Sequence, residues 1–302
     1  MTAEKERVGV IGTGIMGGPM ARNLLEAGFP VHVYNRTPAR AQPLLEAGAR
    51  WAESPAELAE QVSIVMSCVP DSPDVENVYL GERGVCAGLQ AGSLCIDMST
   101  ISPDVARKVA GAVEERGGRF LDAPISGGKT GAEAGTLSIM VGGRAEDVQR
   151  ARPVFEAVGQ SVVHCGPVGF GQLTKLCNQI LCVANLLGVC EAITFARRVG
   201  LDPRTMLEAV SGGAAGSWAL NNLGPRMVER DFRPMFMVDL QQKDLRIALD
   251  TAYRNRLSLP GTALVHQLLG ANQAAGEGRE GTQALIKVLE RLSNLEDGAS
   301  ES

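Results

Sequence analysis

Between Val8 and about Cys165, short runs rich in β-branched residues alternate with amphipathic segments of helical length. This alternation is typical of a parallel sheet whose strands are joined by crossover helices. The runs are almost continuously apolar, which predicts strands covered on both faces. The predicted strands are Val8–Ile11, Val31–Tyr34, Ile64–Cys68, Leu94–Ile96, Arg119–Asp122, Leu137–Val141 and Ser161–His164.

Beyond Gly166 the β-rich runs stop and helical periodicity takes over. The glycine-rich stretch from Ser211 to Ser217 is predicted to be a loop, because glycine destabilises a helix interior. The sequence thus predicts an α/β, doubly wound domain over residues 1–166, followed by an all-α domain over residues 167–302. The predicted helices run from about Gly171 to Val199, from Asp239 to Arg254 and from Gly281 to Leu292.

Charge and hydropathy exclude two classes of partner. The net charge is -5 and no run of five or more Lys or Arg occurs, so we expect neither nucleic acid nor an anionic membrane as a partner. The amino terminus lacks the apolar region and cleavage site of a signal peptide. The longest apolar stretch, Ile180 to Cys190, is interrupted by Asn185 and is too short to span a bilayer. We therefore expect a cytoplasmic protein.

A glycine motif, Gly12-x-Gly14-x-x-Gly17, lies between the first predicted strand and a predicted helix. In this context it is the fingerprint of a dinucleotide-binding Rossmann fold. The first glycine permits the tight turn, the second lets a pyrophosphate approach the backbone, and the third lets helix and strand pack closely. Ile15 and Met16 complete the predicted phosphate loop. The amino terminus of the helix that follows is expected to face the phosphates.

The second predicted strand ends in Asn35-Arg36-Thr37, where an NAD enzyme usually carries Asp or Glu for the ribose hydroxyls. Arg36 suits a 2′-phosphate instead, and Thr37 and Arg40 would add a hydroxyl and a second charge. The sequence therefore favours NADP(H) as cofactor, with NAD(H) as the alternative. The other interpretation of Arg36 is a solvated loop charge.

Ser126-Gly127-Gly128 follow a predicted strand and Pro124. Successive small residues can turn their backbone N–H groups inward as a site for an anion such as a substrate carboxylate, with the Ser126 hydroxyl as a further donor. An ordinary turn is the alternative, and this motif by itself favours the turn.

Lys175 and Asn178 are three residues apart on the long predicted helix and share a face, with Gln179 beside them. Hydride delivery to an aldehyde leaves an alkoxide, which a desolvated lysine can protonate near neutral pH. Lys175 is therefore the candidate general acid. Asn178 would orient substrate or lysine, and a hydrogen bond between helices is an equal alternative for it.

Cysteine and histidine spacing predicts no metal site. The seven cysteines show no C-x-x-C spacing, and the three histidines are isolated, so neither a zinc site nor a Ser-His-Asp triad is supported. Cys177 lies beside the candidate lysine, and we interpret it as a core residue. Spacing also predicts a solvated pair for Lys243 and Asp244, and a core position for Phe236.

In combination these motifs resemble the β-hydroxyacid dehydrogenases. That family contains 3-hydroxyisobutyrate dehydrogenase, tartronate semialdehyde reductase and the glyoxylate/succinic semialdehyde reductases, and it is more distantly similar to 6-phosphogluconate dehydrogenase. The resemblance runs from about Val8 to Leu292. It is carried by the dinucleotide loop, Asp97-Met98-Ser99-Thr100, Asp122 to Gly128, and Gly169-x-Gly171 with Lys175.

The resemblance implies a Rossmann domain joined by a long helix to an all-α domain that also forms the interface of a homodimer or homotetramer. It implies roles for the following residues: Lys175 as the catalytic lysine; Ser126, Gly127 and Gly128 at the substrate carboxylate; Thr100 near the nicotinamide ribose; Val69 and Pro70 beside the cofactor; and Phe236, Lys243 and Asp244 closing over cofactor and substrate.

Two features leave open which subfamily the chain resembles most. Several members carry Asn four residues after the lysine, where this chain has Gln179, so either Asn178 or Gln179 is the candidate substrate contact. The stretch from Ser211 to Leu240 looks most like tartronate semialdehyde reductase, whereas residues 35–37 and 241–244 look like the glyoxylate/succinic semialdehyde branch.

We therefore expect an NADP(H)-preferring reductase of a small aldehyde acid. The leading substrate is 2-hydroxy-3-oxopropionate (tartronate semialdehyde). The alternatives within the same chemistry are 3-hydroxyisobutyrate oxidation and glyoxylate or succinic semialdehyde reduction. Outside that chemistry, the alternatives are a non-catalytic cofactor-binding protein and an imine reductase, both of which usually lack the lysine.

Overall fold

A computed structural model describes residues 5–295. The chain forms two units, one ending at Lys175 and the other beginning at Leu176. The division falls inside a long helix, a little beyond the boundary that we predicted at residue 166.

The first unit is built on a nine-stranded sheet with the strand order β3-β2-β1-β4-β5-β6-β8-β7, in which β9 pairs with β8. Six neighbouring strands, β3 through β6 in that order, are parallel, as predicted. The strands are β1 (Val8–Ile11), β2 (Val31–Tyr34), β3 (Arg50–Trp51), β4 (Ile64–Ser67), β5 (Leu94–Asp97), β6 (Arg119–Asp122), β7 (Ile125–Ser126), β8 (Leu137–Gly142) and β9 (Gly159–Gly166).

The prediction of a parallel sheet over the whole unit is wrong at β8. This strand runs antiparallel to β6 and β7, and β9 is parallel to β8. The connection from β6 to β8 contains the short strand β7 and one short helix in place of a full crossover helix, so β8 returns in the opposite direction. The two-residue strands β3 and β7 are too short to leave a periodic signal in the sequence.

Helices cover both faces of this sheet, as the apolar strands predicted. Along β4, Ile64 and Met66 pack into one buried cluster while Val65 packs into another, because successive strand residues point to opposite faces. The helices are α1 (Gly17–Glu26), α2 (Gln42–Glu46), α3 (Pro55–Gln61), α4 (Ser72–Leu80), α5 (Val85–Gly88), α6 (Pro103–Glu115), α7 (Gly128–Ala134) and α8 (Ala145–Val158), with a 3₁₀ turn at Pro38–Arg40.

The second unit is helical, as predicted. The loop predicted over Ser211 to Ser217 separates two of its helices, and Ser217 Oγ accepts a hydrogen bond from Leu220 N at the start of the second. The helices are α9 (Phe170–Arg198), which begins in the first unit, α10 (Pro203–Ser211), α11 (Trp218–Asn222), α12 (Gly224–Val228), α13 (Val238–Arg254), α14 (Pro260–Ala274) and α15 (Leu285–Leu292), with a 3₁₀ turn at Thr282–Ala284.

Helix α9 is longer and more apolar than the stretch on which we judged membrane insertion. It spans 29 residues with a mean hydropathy of 1.7 over an 18-residue window, so by length and composition it is sufficient to cross a bilayer. Val183, Leu186 and Ile193 on this helix pack into the core of the second unit. The core helix of a soluble protein has the same length and hydropathy, so this is weak evidence for a membrane span.

Candidate active site

The predicted cofactor motifs meet at one edge of the sheet. Strands β2, β1, β4, β5 and β6 are neighbours and parallel, so the segments that follow them lie side by side at their carboxyl ends. This edge is where open α/β sheets bind their ligands. The segments are residues 12–17, 35–37, 69–70, 98–101 and 123–128.

The three glycines of the dinucleotide loop occupy different environments. Gly12 has a φ of 93°, and a Cβ there would lie 2.3 Å from the Cys68 carbonyl oxygen. A Cβ on Gly17 would lie 1.8 Å from the Gly12 carbonyl oxygen. No atom lies within 4 Å of a Cβ built on Gly14. Gly12 and Gly17 therefore serve the fold, and Gly14 leaves room for a pyrophosphate.

The end of β2 is tied to this loop through Asn35. Its Oδ1 accepts a hydrogen bond from Thr13 N (2.9 Å), and its Nδ2 donates to the Thr37 carbonyl oxygen (2.9 Å). Asn35 thus shapes two of the segments predicted to hold the cofactor. Arg36 projects from the same turn with its side chain 84% exposed, and its guanidinium lies 3.4 Å from Asp74 Oδ1. This guanidinium is accessible to a phosphate group.

A buried carboxylate organises the segments after β4 and β5. Asp97 Oδ1 accepts hydrogen bonds from Ser67 Oγ (2.8 Å) and Ser99 Oγ (2.7 Å). Ser99 Oγ in turn accepts from Val69 N (2.9 Å), so the predicted cofactor loop at Val69 and Pro70 is held to the strand carrying Asp97. Burial raises the pKa of Asp97 from 3.8 to about 7.

The carboxylate of Asp122 holds the start of α9. Its Oδ1 accepts from Gly169 N (2.7 Å) and its Oδ2 from Gln172 N (2.8 Å). Gln172 lies in the first turn of α9, where backbone N–H groups have no partner within the helix, and Gly169 immediately precedes that turn. Burial nevertheless raises the pKa of Asp122 from 3.8 to about 6. Lys175 follows in the next turn of this helix.

The predicted carboxylate site begins in β7. Ser126 pairs with Ser138 of β8, and Gly127 and Gly128 both adopt positive φ, 130° and 62°. Ser126 and Gly128 are half-buried and Gly127 is exposed. The φ of 130° at Gly127 favours glycine strongly, and the two successive positive φ values turn the backbone away from the strand. The segment is therefore a sharp, accessible turn at the same edge as the cofactor motifs.

Lys175 is 7% exposed, so this lysine lies almost entirely out of contact with water. In the second unit, Gln179 is 3% exposed, and its Nε2 donates to Asp244 Oδ2 (2.5 Å). Asn178 is half-buried, and its Nδ2 donates to Gln179 Oε1 (2.8 Å). Both polar atoms of the Gln179 amide are thus engaged within the protein.

The solvated pair predicted from spacing at Lys243 and Asp244 is wrong. Their side chains are 13% and 1% exposed, and Lys243 Nζ lies 2.8 Å from Asp244 Oδ1. Phe236 is half-buried, whereas spacing predicted a core residue.

Two matches cover most of the chain. Residues 7–166 match the NAD binding domain of 6-phosphogluconate dehydrogenase. Residues 169–289 match a domain described as the NAD-binding domain of NADP-dependent 3-hydroxyisobutyrate dehydrogenase. The chain belongs to the β-hydroxyacid dehydrogenase family. It is an NAD(P)-dependent oxidoreductase of the 3-hydroxyisobutyrate dehydrogenase and tartronate semialdehyde reductase type.

Individual relatives agree with this assignment. The chain is 42% identical over 288 residues to the 2-hydroxy-3-oxopropionate reductase of Escherichia coli, covering 95% of this chain and 98% of the relative. It is 40% identical over 281 residues to the 3-hydroxyisobutyrate dehydrogenase of Pseudomonas aeruginosa, covering 91% and 94%. Among solved structures, Mycobacterium tuberculosis 3-hydroxyisobutyrate dehydrogenase with L-serine superposes with a TM-score of 0.87 at 31% identity, covering 94% and 99%.

Several residues of this β-hydroxyacid dehydrogenase were missed or misjudged from the sequence. Asp97, Ser99 and Gln172 lay within recognised motifs, but their hydrogen bonds had no signal in the spacing. Cys177 is exposed, so the core position that we predicted for it is wrong, because the face of α9 that carries it is not covered within the chain. Among residues 5–295, no cluster of three or more His, Cys, Asp or Glu side chains is arranged to hold a metal.

One cavity lies away from the edge that carries the motifs. It has a volume of about 550 Å³ and lies at the amino-terminal edge of the sheet, beside Arg7, Ser63 and Ser93. Its most buried charge, Arg150, forms a double hydrogen bond with Glu6 and donates to the Gly92 carbonyl oxygen. We assign the chemistry to the carboxyl edge because the reactive and glycine-rich residues lie there.

Proposed function

We propose that this enzyme is an NADP(H)-preferring reductase of 2-hydroxy-3-oxopropionate, with Lys175 as the general acid. The observation that carries the proposal is the burial of Lys175, 7% exposed, on a helix whose first turn is held by Asp122 from the strand that leads to the Ser126 turn. A buried lysine on a helix that starts at the sheet edge carrying the Ser126 turn and the dinucleotide loop is suited to reducing an aldehyde that carries a carboxylate.

The residues of the first unit fit a dinucleotide. The open space at Gly14 would accept the pyrophosphate at the start of α1. The Val69-Pro70 loop and Thr100 would hold the nicotinamide end, and Arg36 and Thr37 would hold the adenosine ribose. Bound NADPH supplies the hydride that reduces the aldehyde carbon.

The chain's own residues then have separate tasks. Ser126 Oγ and the N–H groups of Gly127 and Gly128 bind the substrate carboxylate and orient the aldehyde. Lys175 Nζ donates a proton to the alkoxide oxygen as the new C–H bond forms, and it takes that proton back when the alcohol is oxidised.

The amide nearest the substrate is proposed to be Asn178. The Gln179 amide is fully engaged by Asp244 and Asn178, and it is buried. Asn178 uses only its Nδ2 in that contact among the described residues, which leaves its Oδ1 to receive a substrate hydroxyl. Gln179, Asp244 and Lys243 then orient Asn178, and the half-buried Phe236 supplies an apolar contact.

NADP(H) preference rests on the side chain of Arg36, which is 84% exposed at the end of β2. A guanidinium there pairs with a 2′-phosphate through charge-assisted hydrogen bonds. The matched domain described as belonging to NADP-dependent 3-hydroxyisobutyrate dehydrogenase also supports this choice. NAD(H) lacks the phosphate and would gain nothing from Arg36.

The choice of 2-hydroxy-3-oxopropionate is supported by the 42% identity to the enzyme so named. The 40% identity to a 3-hydroxyisobutyrate dehydrogenase is nearly as high, so oxidation of 3-hydroxyisobutyrate is the second candidate. Both substrates carry a carboxylate at one end of a three-carbon backbone and the reacting carbon at the other, so the same Ser126 turn and Lys175 would serve either one.

The test is oxidation of NADPH and NADH by the purified enzyme against tartronate semialdehyde, methylmalonate semialdehyde, glyoxylate and succinic semialdehyde. Lys175→Met should lower kcat by about 10²-fold or more while NADPH binding survives. Lys108→Met is the matched control, since Lys108 is 63% exposed and pairs with Glu76 on the surface. Normal turnover in Lys175→Met, or a higher rate on a cyclic imine than on every aldehyde acid, would refute the proposal.

We also propose that the enzyme is a cytoplasmic homodimer or homotetramer. Leu181 and Phe195 on α9 are 65% and 67% exposed, a degree of apolar exposure that supports a protein interface. Light scattering coupled to size-exclusion chromatography measures the mass in solution, and a monomer at micromolar concentration would contradict this proposal.

A further inference from the structure

The side chain of Gln172 hydrogen-bonds to the backbone on both sides of Thr100, the residue that the resemblance places near the nicotinamide ribose. Gln172 is fully buried, its Oε1 accepts from Ile101 N (3.0 Å), and its Nε2 donates to the Ser99 carbonyl oxygen (2.8 Å). Those two backbone groups belong to the residues immediately before and after Thr100. The amide of one side chain therefore fixes the backbone of residues 99–101 with two hydrogen bonds.

The same residue is anchored at its own backbone. Gln172 N donates to Asp122 Oδ2 (2.8 Å), and Asp122 Oδ1 accepts from Gly169 N (2.7 Å). A side chain and a backbone group of one residue thus connect three segments, namely the ends of β5 and β6 and the first turn of α9. All three lie in the first unit.

The backbone at the start of α9 lies very close to the ends of the strands. A Cβ at Gly171 would lie 2.4 Å from the Met140 carbonyl oxygen and 2.5 Å from the Asp122 carbonyl oxygen. At Gly142 a Cβ would lie 2.4 Å from Asp122 Oδ1. The helix backbone therefore packs directly on the strand ends, at a distance that Gln172 and Asp122 hold with hydrogen bonds.

We propose that Gln172 is a positioning residue that sets the distance between Lys175 and the Thr100 segment, an inference that rests on the function proposed above. Lys175 is three residues beyond Gln172 on the same helix, so the two side chains leave the helix on neighbouring parts of one face. Hydride and proton must reach the two ends of one carbonyl bond. Small displacements of a reacting group lower kcat sharply.

The test compares Gln172→Met with Gln283→Met. Methionine keeps the length of glutamine and removes both amide hydrogen bonds. Gln283 is the matched control in the second unit, because it is also fully buried and its Nε2 donates to two backbone carbonyls, those of Asp231 and Arg233. Both variants lose buried hydrogen bonds, but the side-chain hydrogen bonds of Gln283 go to Asp231 and Arg233, neither of which is assigned to catalysis.

Gln172→Met should lower kcat by about 10- to 100-fold. The dissociation constant for NADPH, measured by fluorescence titration, should change much less. The primary isotope effect with NADPH deuterated at C4 should rise, because the chemical step becomes rate-limiting. Gln283→Met should keep the wild-type kcat and isotope effect at a temperature where both variants are folded. A wild-type kcat and isotope effect in Gln172→Met, or equal losses in the two variants, would overturn the inference.

Two further variants separate the outcomes. If Gln172→Met does not fold, Gln172→Glu keeps the acceptor for Ile101 N and removes the donor to Ser99, and a normal kcat in that variant overturns the inference. Lys175→Met is assayed beside them. Turnover in Lys175→Met defeats the proposed function itself, whereas an inactive Lys175→Met beside a fully active Gln172→Met defeats only the role of Gln172.

Discussion

The buried carboxyl of Asp97 should make the first unit less stable as pH rises through the neutral range. Burial raises its pKa from 3.8 to about 7, so at intermediate pH the folded state holds a proton that the unfolded state has released. Stability falls with pH wherever the folded state binds more protons. The contribution of Asp97 is therefore fully present below about pH 4 and is lost as pH rises through about 7.

The magnitude follows from the shift of about three pKa units, each of which corresponds to about 1.4 kcal/mol. The full loss is roughly 4 kcal/mol, of which about 3 kcal/mol falls between pH 5 and pH 8. The pKa of Asp97 is raised because its two oxygens are buried and only one of them is hydrogen-bonded within residues 5–295. Oδ1 accepts from Ser67 Oγ and Ser99 Oγ, while Oδ2 is buried and has no partner among the described residues. A protonated Oδ2 avoids leaving a bare charge there.

Asp97→Asn keeps the shape and the accepting Oδ1 but cannot ionise. We expect its free energy of unfolding, minus that of the parent protein, to increase by about 3 kcal/mol from pH 5 to pH 8. Urea unfolding followed by tryptophan fluorescence measures this difference. A Trp218→Phe background leaves Trp51 as the reporter of the first unit.

Ser67→Ala is a second variant, in which Asp97 can still ionise. The Ser67 hydroxyl lowers the pKa of Asp97, so its removal should raise that pKa further, which extends the loss of stability to higher pH and makes it larger. A difference between Asp97→Asn and its parent that stays constant across this pH range would show that Asp97 is ionised throughout, and the reasoning from burial would be wrong.

Three other outcomes follow from the structure. Arg36→Ala should raise the KM for NADPH by about tenfold while leaving that for NADH nearly unchanged, and equal changes in steady-state kinetics would make Arg36 a solvated charge. Gly17→Ala should lower the thermal unfolding midpoint because its Cβ would lie 1.8 Å from the Gly12 carbonyl oxygen, whereas Gly14→Ala should weaken NADPH binding and leave the midpoint unchanged. A thiol reagent should label exposed Cys177 in the native enzyme and spare fully buried Cys95, and slow labelling of Cys177 would contradict its exposure or indicate a covering subunit.

Much of the fold was predictable because its signals are local. The strands from β1 to β6 longer than two residues are marked by short apolar runs, and the glycine spacing after β1 indicates a turn that few other residues can make. The direction of β8 was not predictable in this way. A strand carries the same apolar pattern in either direction, and the connection that reverses it contains a strand of only two residues.

The candidate site also has features that the sequence predicted and features that only the structure revealed. By itself the sequence determined which residue types were available, namely the loop glycines, the lysine on α9, and Arg36 in place of an acidic residue. The tertiary structure alone decided how each one is used. Lys243 and Asp244 form a buried ion pair, and Gln172 hydrogen-bonds to the backbone on both sides of Thr100. Burial and hydrogen bonding depend on which distant segment packs against a side chain, and no periodicity along the chain encodes that contact.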